Sequence, residues 1–222
     1  YRKMNYSDIL YFGWNILTMH LFPSRRIPLS MHVSLTSRCN NRCRYCHFER
    51  LSQENEWSTE ELKRVLGEMR RSGTRRVQFT GGEPMLRSDL GMIIRKAADL
   101  GMFVGLSTNG FQVKERVEEL KPVDIVQVSY DGPPEVHGYI RGEKSVEDAS
   151  SAITALLKNG IPVWINTVLT TVNAPYVNQI VEYARERGIV ANFVLLDYFE
   201  DPQDHFHPAL REIEELVLKG EK

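Results

Sequence analysis

Arg76-Val77-Gln78-Phe79-Thr80-Gly81-Gly82-Glu83-Pro84 reads as a short β-rich run that empties into a glycine turn, with helical spacing resuming over Ser88–Leu100. The same unit recurs on both sides. Further β-rich runs are Met31–Thr36, Phe103–Thr108, Ile125–Tyr130, Val163–Thr170 and Val190–Asp197; helical segments fall at Ser58–Ser72, Lys114–Leu120, Ser145–Asn159 and Ala174–Arg187. Ser58 followed by Glu61 is a capping box, and Gly73, Gly101, Gly160 and Gly188 stand where helices end in a left-handed residue. A last helical stretch, Pro208–Lys219, closes the chain.

Six successive βα units predict an α/β fold with a parallel sheet, because right-handed crossovers return each strand beside the one before. An open doubly wound sheet and a partial barrel both satisfy that pattern, and both place ligands at the carboxyl ends of the strands. Those ends are chemically rich. The first is followed by three cysteines and the second by Gly81–Pro84. Ser107-Thr108-Asn109-Gly110 ends the third and Ser129-Tyr130-Asp131-Gly132 the fourth. The fifth carries Asn166 and Thr167, and the sixth ends at Asp197.

Residues 1–30 stand apart as a helical extension and linker before a core at residues 31–222, which is left open to continue past Lys222. From Ser7 to about Phe22, Asp8, Tyr11, Asn15 and Thr18 make a narrow polar stripe on an otherwise apolar helix. Pro23–Pro28 reads as a linker. Such a helix either packs on the core or lies at a membrane surface through residues 7–22, with Trp14, Phe22 and the Arg25–Arg26 pair at the headgroups.

With 28 Lys+Arg against 29 Asp+Glu the net charge is −1, which lacks the basic field of a nucleic-acid binder, so no nucleic-acid partner is expected. An apolar content of 42% excludes a disordered chain. No apolar run of 18 residues exists for a spanning helix. The first residue is Tyr1 rather than Met, as in a trimmed chain, so an upstream targeting peptide is left open.

The only three cysteines are Cys39, Cys43 and Cys46. An odd, clustered set is a poor disulfide framework, and thiols kept reduced point to the cytoplasm. Three thiolates in C-x3-C-x2-C spacing suit three corners of an iron–sulfur cube whose fourth iron lacks a protein thiolate. Two plainer readings are a zinc site completed by His47 and a redox pair Cys43–Cys46.

At this point the chain resembles the radical S-adenosylmethionine (radical SAM) family. The resemblance rests on Cys39, Cys43 and Cys46, on Tyr45 before the last cysteine, on Phe79–Pro84, on Ser107–Gly110, and on Ser129–Gly132 continuing to His137 and Arg141-Gly142. It implies a partial (β/α)6 TIM-like barrel and an enzyme. Its cofactors would be a 4Fe–4S cluster on the three cysteines and S-adenosylmethionine on the fourth iron, cleaved reductively to a 5′-deoxyadenosyl radical. It also implies an electron donor such as flavodoxin or ferredoxin. Gly81, Gly82, Glu83 and Pro84 resemble the methionine-binding edge: two glycines allow close backbone approach, and a carboxylate can accept from an ammonium. Ser107, Asn109 and Ser129 lie in segments resembling the cofactor site, Asn109 and Ser129 at ribose- and carboxylate-holding positions. Arg141 could pair with that carboxylate or form an ordinary salt bridge. Tyr45 and Leu195 resemble adenine-contacting positions, although periodicity alone makes Leu195 a core residue.

Within the family, Ser129–Gly142 and Thr167–Asn173 are most similar to the branch holding peptide-modifying maturases and the molybdenum-cofactor enzyme. The chain departs from it in having no cysteines for auxiliary clusters, and in having Gln78 where the molybdenum-cofactor enzyme has a substrate arginine, which counts against GTP. Viperin-like nucleotide-modifying and lipid-modifying members are alternatives, as is a non-catalytic metal-binding protein of the same fold. The substrate is therefore left as a peptide, lipid or small molecule. Gln78, Gln127, Asn166, Asp197 and His47 are the side chains free to meet it, Asp197 as a proton acceptor or merely a loop carboxylate. His205-x-His207 is read as the entry to the last helix, with Pro208 at its first position.

Overall fold

Strand β2 (Arg76–Thr80) shows why the sheet forms: Val77 and Phe79 are fully buried against helices, whereas Gln78 and Thr80 turn to the opposite face. The structure is a computed structural model that describes residues 6–21, 28–46 and 56–195. Its elements are α1 (Tyr6–Leu21), β1 (Ser30–Ser34), α2 (Thr59–Arg71), β2, α3 (Leu90–Asp99), β3 (Phe103–Thr108), β4 (Ile125–Ser129), α4 (Pro134–Arg141), α5 (Lys144–Lys158), β5 (Val163–Leu169), α6 (Val177–Glu186) and β6 (Val190–Leu195). The six strands form one open, parallel sheet in the order β1-β2-β3-β4-β5-β6. This is the α/β partial barrel implied by the resemblance.

One face of the sheet is the core. Val33, Val77, Phe79, Val104, Leu106, Val126, Val128, Val163 and Ile165 pack there against Leu62, Leu66, Ile93, Ile94, Ala152, Ile153 and Ile180 of the helices. Burial of each large side chain contributes roughly 1.5–3 kcal/mol. The other face lines a lumen. Register fixes its contents: Gln78 lies beside His32 and Gly105, Gln127 beside Ser107 and Trp164, and Asn166 beside Ser129 and Asn192.

Strands β2 and β3 coincide with the expected runs, and the other described strand ends shift by one or two residues. The Ser58–Glu61 capping box is formed, and Gly73, Gly101, Gly160 and Gly188 all have positive φ. Two expectations fail. Lys114–Leu120 is only a short 3-10 helix over Val117–Leu120, because the i,i+3 pair Val117/Leu120 suits three residues per turn and Arg116 is anchored to the carbonyls of Met85 and Arg87. Helix α4 is absent from the expected elements, since its brevity and Gly138 hide the apolar spacing; Pro134 at its start is nevertheless a first-turn signal.

Helix α1 is inverted relative to an ordinary packed helix. Its polar stripe faces inward: Tyr11 Oη donates to the Gly73 carbonyl at 2.8 Å, its ring lies 4.3 Å from the Arg75 guanidinium, and Asn15 and Thr18 are buried. Leu10, Trp14, Ile16, Leu17 and Leu21 are exposed, Trp14 by 65%. No helix among the described residues is long and apolar enough to cross a membrane. Several sequence candidates lie outside the described residues: His47, Asp197, the His205/His207 pair, the linker residues 23–27 and the stretch 208–219.

Candidate active site

The cysteine loop leaves β1 and is locked at once to the turn after β2. Leu35 donates its N–H to Thr80, Gly82 to the Thr36 carbonyl at 2.7 Å, and Glu83 to the Arg38 carbonyl at 2.8 Å. Gly81 has φ +141°, and a Cβ there would overlap the Thr36 carbonyl; a Cβ on Gly82 would overlap that of Arg38. The two glycines thus admit the chain's own backbone, a closer partner than the ligand the sequence suggested. Arg87 reinforces the joint, donating to the carbonyls of Leu35 and Trp57 at 3.1 Å while paired with Asp89 at 2.6 Å. Arg38 is held by Glu56 at 2.9 Å.

Glu83 is fully buried. Its carboxylate accepts from the N–H groups of Met85 (2.9 Å) and Asn109 (2.7 Å) and from the Thr108 hydroxyl (2.8 Å). Burial pushes it up to about 7, against the pull of those donors. Glu83 therefore stitches β2 to the end of β3, with donors drawn from its own chain. Pro84, buried beside it, opens a single 3-10 turn. Asn109 reaches back to the first motif, its amide donating to Asn40 Oδ1 at 2.8 Å and approaching Cys39 Sγ at 3.8 Å.

A second buried cluster sits under the other side of the loop. Arg141 Nε donates to Asp131 Oδ2 at 2.5 Å, another guanidinium nitrogen contacts the Tyr45 hydroxyl, and Nη1 lies 3.9 Å from Cys43 Sγ. Tyr45 also donates to Asp131 at 2.9 Å, and Asp131 Oδ1 accepts the Val168 N–H at 3.0 Å. The Asp131 N–H donates to His137 Nδ1 at 3.0 Å; burial and the nearby Arg141 charge push His137 down to about 4, so it is neutral at pH 7. Of the two readings of Arg141, the salt bridge is present, with Asp131, and Tyr45, 9% exposed, turns its hydroxyl into the same network. The sequence reading missed Asp131, although its place directly after a strand-end Ser-Tyr was the available signal.

All three cysteines are free: Cys39 is exposed, Cys43 and Cys46 half-buried. Burial pushes the Cys39 thiol up, and Cys43 up to about 11. Three thiols on separate positions of one loop fit a polynuclear cluster that takes one thiolate per iron, and metal ligation deprotonates such thiols. Asn109 and Arg141 stand within hydrogen-bonding reach of two of the sulfurs.

The lumen holds the remaining candidates. Gln78 Nε2 donates to Ser107 Oγ (3.0 Å) and Gln127 Oε1 (3.3 Å), and Ser107 donates to the same Gln127 oxygen (3.2 Å). Ser107 thus shares this mid-lumen layer with Gln78 and Gln127. Gln78 is 2% exposed, yet its Oε1 has no hydrogen-bond partner. It lies in space that a Cβ on Gly105 would occupy. Asn192 donates to Asn166 Oδ1 at 2.6 Å, an arrangement missed because Asn192 falls inside an apolar run. Ser129, half-buried, ends β4 in register with Asn166. Leu195 is in register with Leu169, whose alternation puts it on the helix-facing side of the sheet, and it is 48% exposed. The pleat thus removes Leu195 from the lumen set.

Residues 33–184 match the model of the radical SAM superfamily. The chain belongs to that superfamily. Its members use a 4Fe–4S cluster and S-adenosylmethionine, and the residues above fit the former. The chain is 31% identical over 202 residues to a probable GTP 3′,8-cyclase of Thermococcus kodakarensis, covering 86% of this chain and 66% of that protein. It is 30% identical over 198 residues to the GTP 3′,8-cyclase of Nautilia profundicola, covering 85% and 61%. The chain thus spans less than two thirds of the length of these relatives. Among solved structures, anSMEcpe with bound AdoMet and a peptide superposes with a TM-score of 0.74 at 21% identity, covering 86% of this chain and 58% of that one. SuiB of Streptococcus suis bound to S-adenosylmethionine gives 0.74 at 18%, covering 99% and 53%. Both show the fold.

Proposed function

We propose that this chain is the core of a radical SAM enzyme in which Cys39, Cys43 and Cys46 hold a 4Fe–4S cluster at the rim of the lumen and the substrate binds in the lumen below. The observation that carries this reading is the interlock of the cysteine loop with Gly81–Pro84, in which each glycine is demanded by the other motif's backbone. When bound, the cluster supplies one electron for reductive cleavage of S-adenosylmethionine. The chain's own residues hold the loop through Glu83, Arg87 and Asn109, and present Ser129 to the cofactor's edge of the lumen.

The substrate layer is uncharged. Gln78, Ser107, Gln127, Asn166 and Asn192 offer hydrogen bonds and no formal charge, and the buried Gln78 Oε1 still lacks a donor. A buried acceptor left unpaired costs about 1–3 kcal/mol, which a substrate N–H would recover. The cyclase relatives support a nucleotide, and Gln78 supports reading its base edge rather than its phosphates. With dithionite and S-adenosylmethionine, GTP or guanosine should raise 5′-deoxyadenosine release several-fold over the ligand-free rate, and Gln78→Met should abolish the increase. No increase with either compound contradicts the nucleotide reading.

A second reading concerns α1. Its polar face is consumed by the barrel while Leu10, Trp14, Ile16, Leu17 and Leu21 face outward, and Arg2, Lys3, Arg25 and Arg26 flank it in sequence. That combination supports peripheral binding to an anionic bilayer. Trp14→Glu with Leu17→Glu should cut co-sedimentation with phosphatidylserine vesicles several-fold; unchanged sedimentation contradicts it.

A further inference from the structure

Helices α2 and α3 pack side by side on the outside of the sheet and border an open groove of about 740 Å³. Six cations line it, Lys63, Arg64, Arg70, Arg71, Arg95 and Lys96, against two carboxylates, Glu60 and Asp99. In a chain whose net charge is −1, this is a marked local excess of one sign. Two of the six are used by the fold. Lys63 pairs with Glu60 at 2.7 Å, and Arg70 Nε donates to the Leu100 carbonyl at 2.8 Å, tying α2 to the end of α3. Arg64, Arg71, Arg95 and Lys96 have no side-chain hydrogen bond or salt bridge among the described residues. Two acids that flank the groove are committed elsewhere: Glu61, near Arg64, closes the α2 cap with Ser58, and Glu119, near Arg95, holds Arg116 at 2.7 Å. Like charges gathered in this way repel, and an anion between them removes the repulsion.

The groove opens beside α1. Arg71 ends α2, and Gly73 accepts the Tyr11 hydroxyl of α1 at 2.8 Å. Two residues of chain reach about 7 Å at most, so the end of the groove and the seat of α1 adjoin. Arg71 turns back over the groove, since a Cβ on Gly67 would sit 3.7 Å from its Nη1. Met92, on the α3 wall, is 49% exposed. On α1 itself Trp14, Leu17 and Leu21 point outward. An apolar helix face beside a cationic groove supplies both components of adhesion to an anionic bilayer, one for the acyl boundary and one for the phosphates. An acidic protein or a nucleic acid would use the cations alone and leave the exposed face of α1 uncovered.

We infer that the α2–α3 groove is a headgroup site, in which phosphates of acidic phospholipids lie among Arg64, Arg71, Arg95 and Lys96 while α1 rests in the bilayer interface. This rests on the membrane reading of α1 and adds to it a seat for the anion.

The test is co-sedimentation of the reconstituted chain with mixed phosphatidylserine–phosphatidylcholine vesicles and with pure phosphatidylcholine vesicles, over a range of salt. Wild type should bind the mixed vesicles more tightly, and added salt should shrink the difference. Arg71→Glu with Arg95→Glu should lower binding to the mixed vesicles at least tenfold and remove most of its salt dependence, with pure phosphatidylcholine binding unchanged. Arg71→Lys with Arg95→Lys keeps the charge and should bind as wild type does. Both arginines are exposed and bond to nothing in the fold, so urea midpoints and iron content should match wild type in both variants. Unchanged binding of the charge-reversed variant to mixed vesicles overturns the proposal; loss of binding in Trp14→Glu with Leu17→Glu would then leave the α1 reading standing. Charge reversal that abolishes binding of a labelled RNA while vesicle binding persists also overturns it, and assigns the groove to nucleic acid. If wild type sediments with neither vesicle, the membrane reading of α1 fails first, and the proposal with it.

Discussion

Glu83 accepts the backbone N–H of Asn109 at 2.7 Å across 26 residues of sequence, so the end of β2 and the end of β3 share one buried carboxylate. Both oxygens are occupied by donors. Glu83→Gln must turn an NH2 toward a backbone N–H, that of Asn109 or that of Met85. We expect a loss of roughly 1–3 kcal/mol in urea unfolding, the cost of leaving a buried donor unsatisfied. Asn109 carries the link on to Cys39 and Asn40, so the same variant should also bind less iron on reconstitution. Wild-type stability in Glu83→Gln would show that the carboxylate is not the stitch described here.

Two buried groups set opposite pH trends. Glu83 moves from 4.5 to about 7 on folding, so the native state holds the extra proton between those values and stability falls as pH rises through them. His137 moves from 6.5 to about 4, so the native state lacks a proton the unfolded chain takes up, and stability falls as pH drops through that window. The two oppose each other from pH 4.5 to 6.5. Urea midpoints of the wild type should therefore vary little there as far as these groups are concerned. His137→Gln should uncover a decline with rising pH, readable as a midpoint shift between pH 5 and 6.5. A midpoint in His137→Gln that instead rises over that range would contradict the assignment.

Arg141 neutralises Asp131 and approaches Cys43. Arg141→Leu alone leaves Asp131 as a buried unpaired charge and should cost about 3–5 kcal/mol. Adding Asp131→Asn should recover much of that loss. In the recovered double variant the reconstituted cluster lacks the guanidinium beside one sulfur, and hydrogen bonds to the sulfurs help set the potential. Its midpoint in an EPR-monitored redox titration should fall below that of wild type; an equal midpoint would leave Arg141 a purely structural role.

Gly105 has an ordinary φ, so alanine is allowed by the backbone and its effect is steric: the new Cβ takes the place of Gln78 Oε1. Gly105→Ala should displace Gln78 and lower substrate-stimulated turnover at least tenfold. Substrate-independent cleavage of S-adenosylmethionine, which depends on the rim, should stay within about twofold of wild type, an effect small beside the roughly 1.4 kcal/mol that each factor of ten represents. Parallel loss of both activities would place Gly105 in the scaffold instead.

The alternation of β-rich and helical segments was readable because Val77/Phe79 and Leu62/Leu66 obey simple periods, and the cysteine loop because thiol spacing carries its own chemistry. The roles of Glu83, Arg141 and Tyr45 were not readable. Sequence places a carboxylate near a cofactor edge but does not say that the chain's own N–H groups reach it first. Nor does it reveal that Arg141 finds Asp131, because that pairing depends on α4, a helix of eight residues with a glycine inside it. The inward polar stripe of α1 was visible as a stripe, and its direction was set by the partners it meets, the Gly73 carbonyl and Arg75.

Anaerobic reconstitution of the chain with iron and sulfide, followed by S-adenosylmethionine and dithionite, decides whether Cys39, Cys43 and Cys46 hold a catalytic cluster. Reconstitution should give about four irons per chain, the content of a cubane, and release of 5′-deoxyadenosine, both lost in Cys43→Ala. A colourless protein that takes up zinc in place of a cluster and releases no 5′-deoxyadenosine would contradict it.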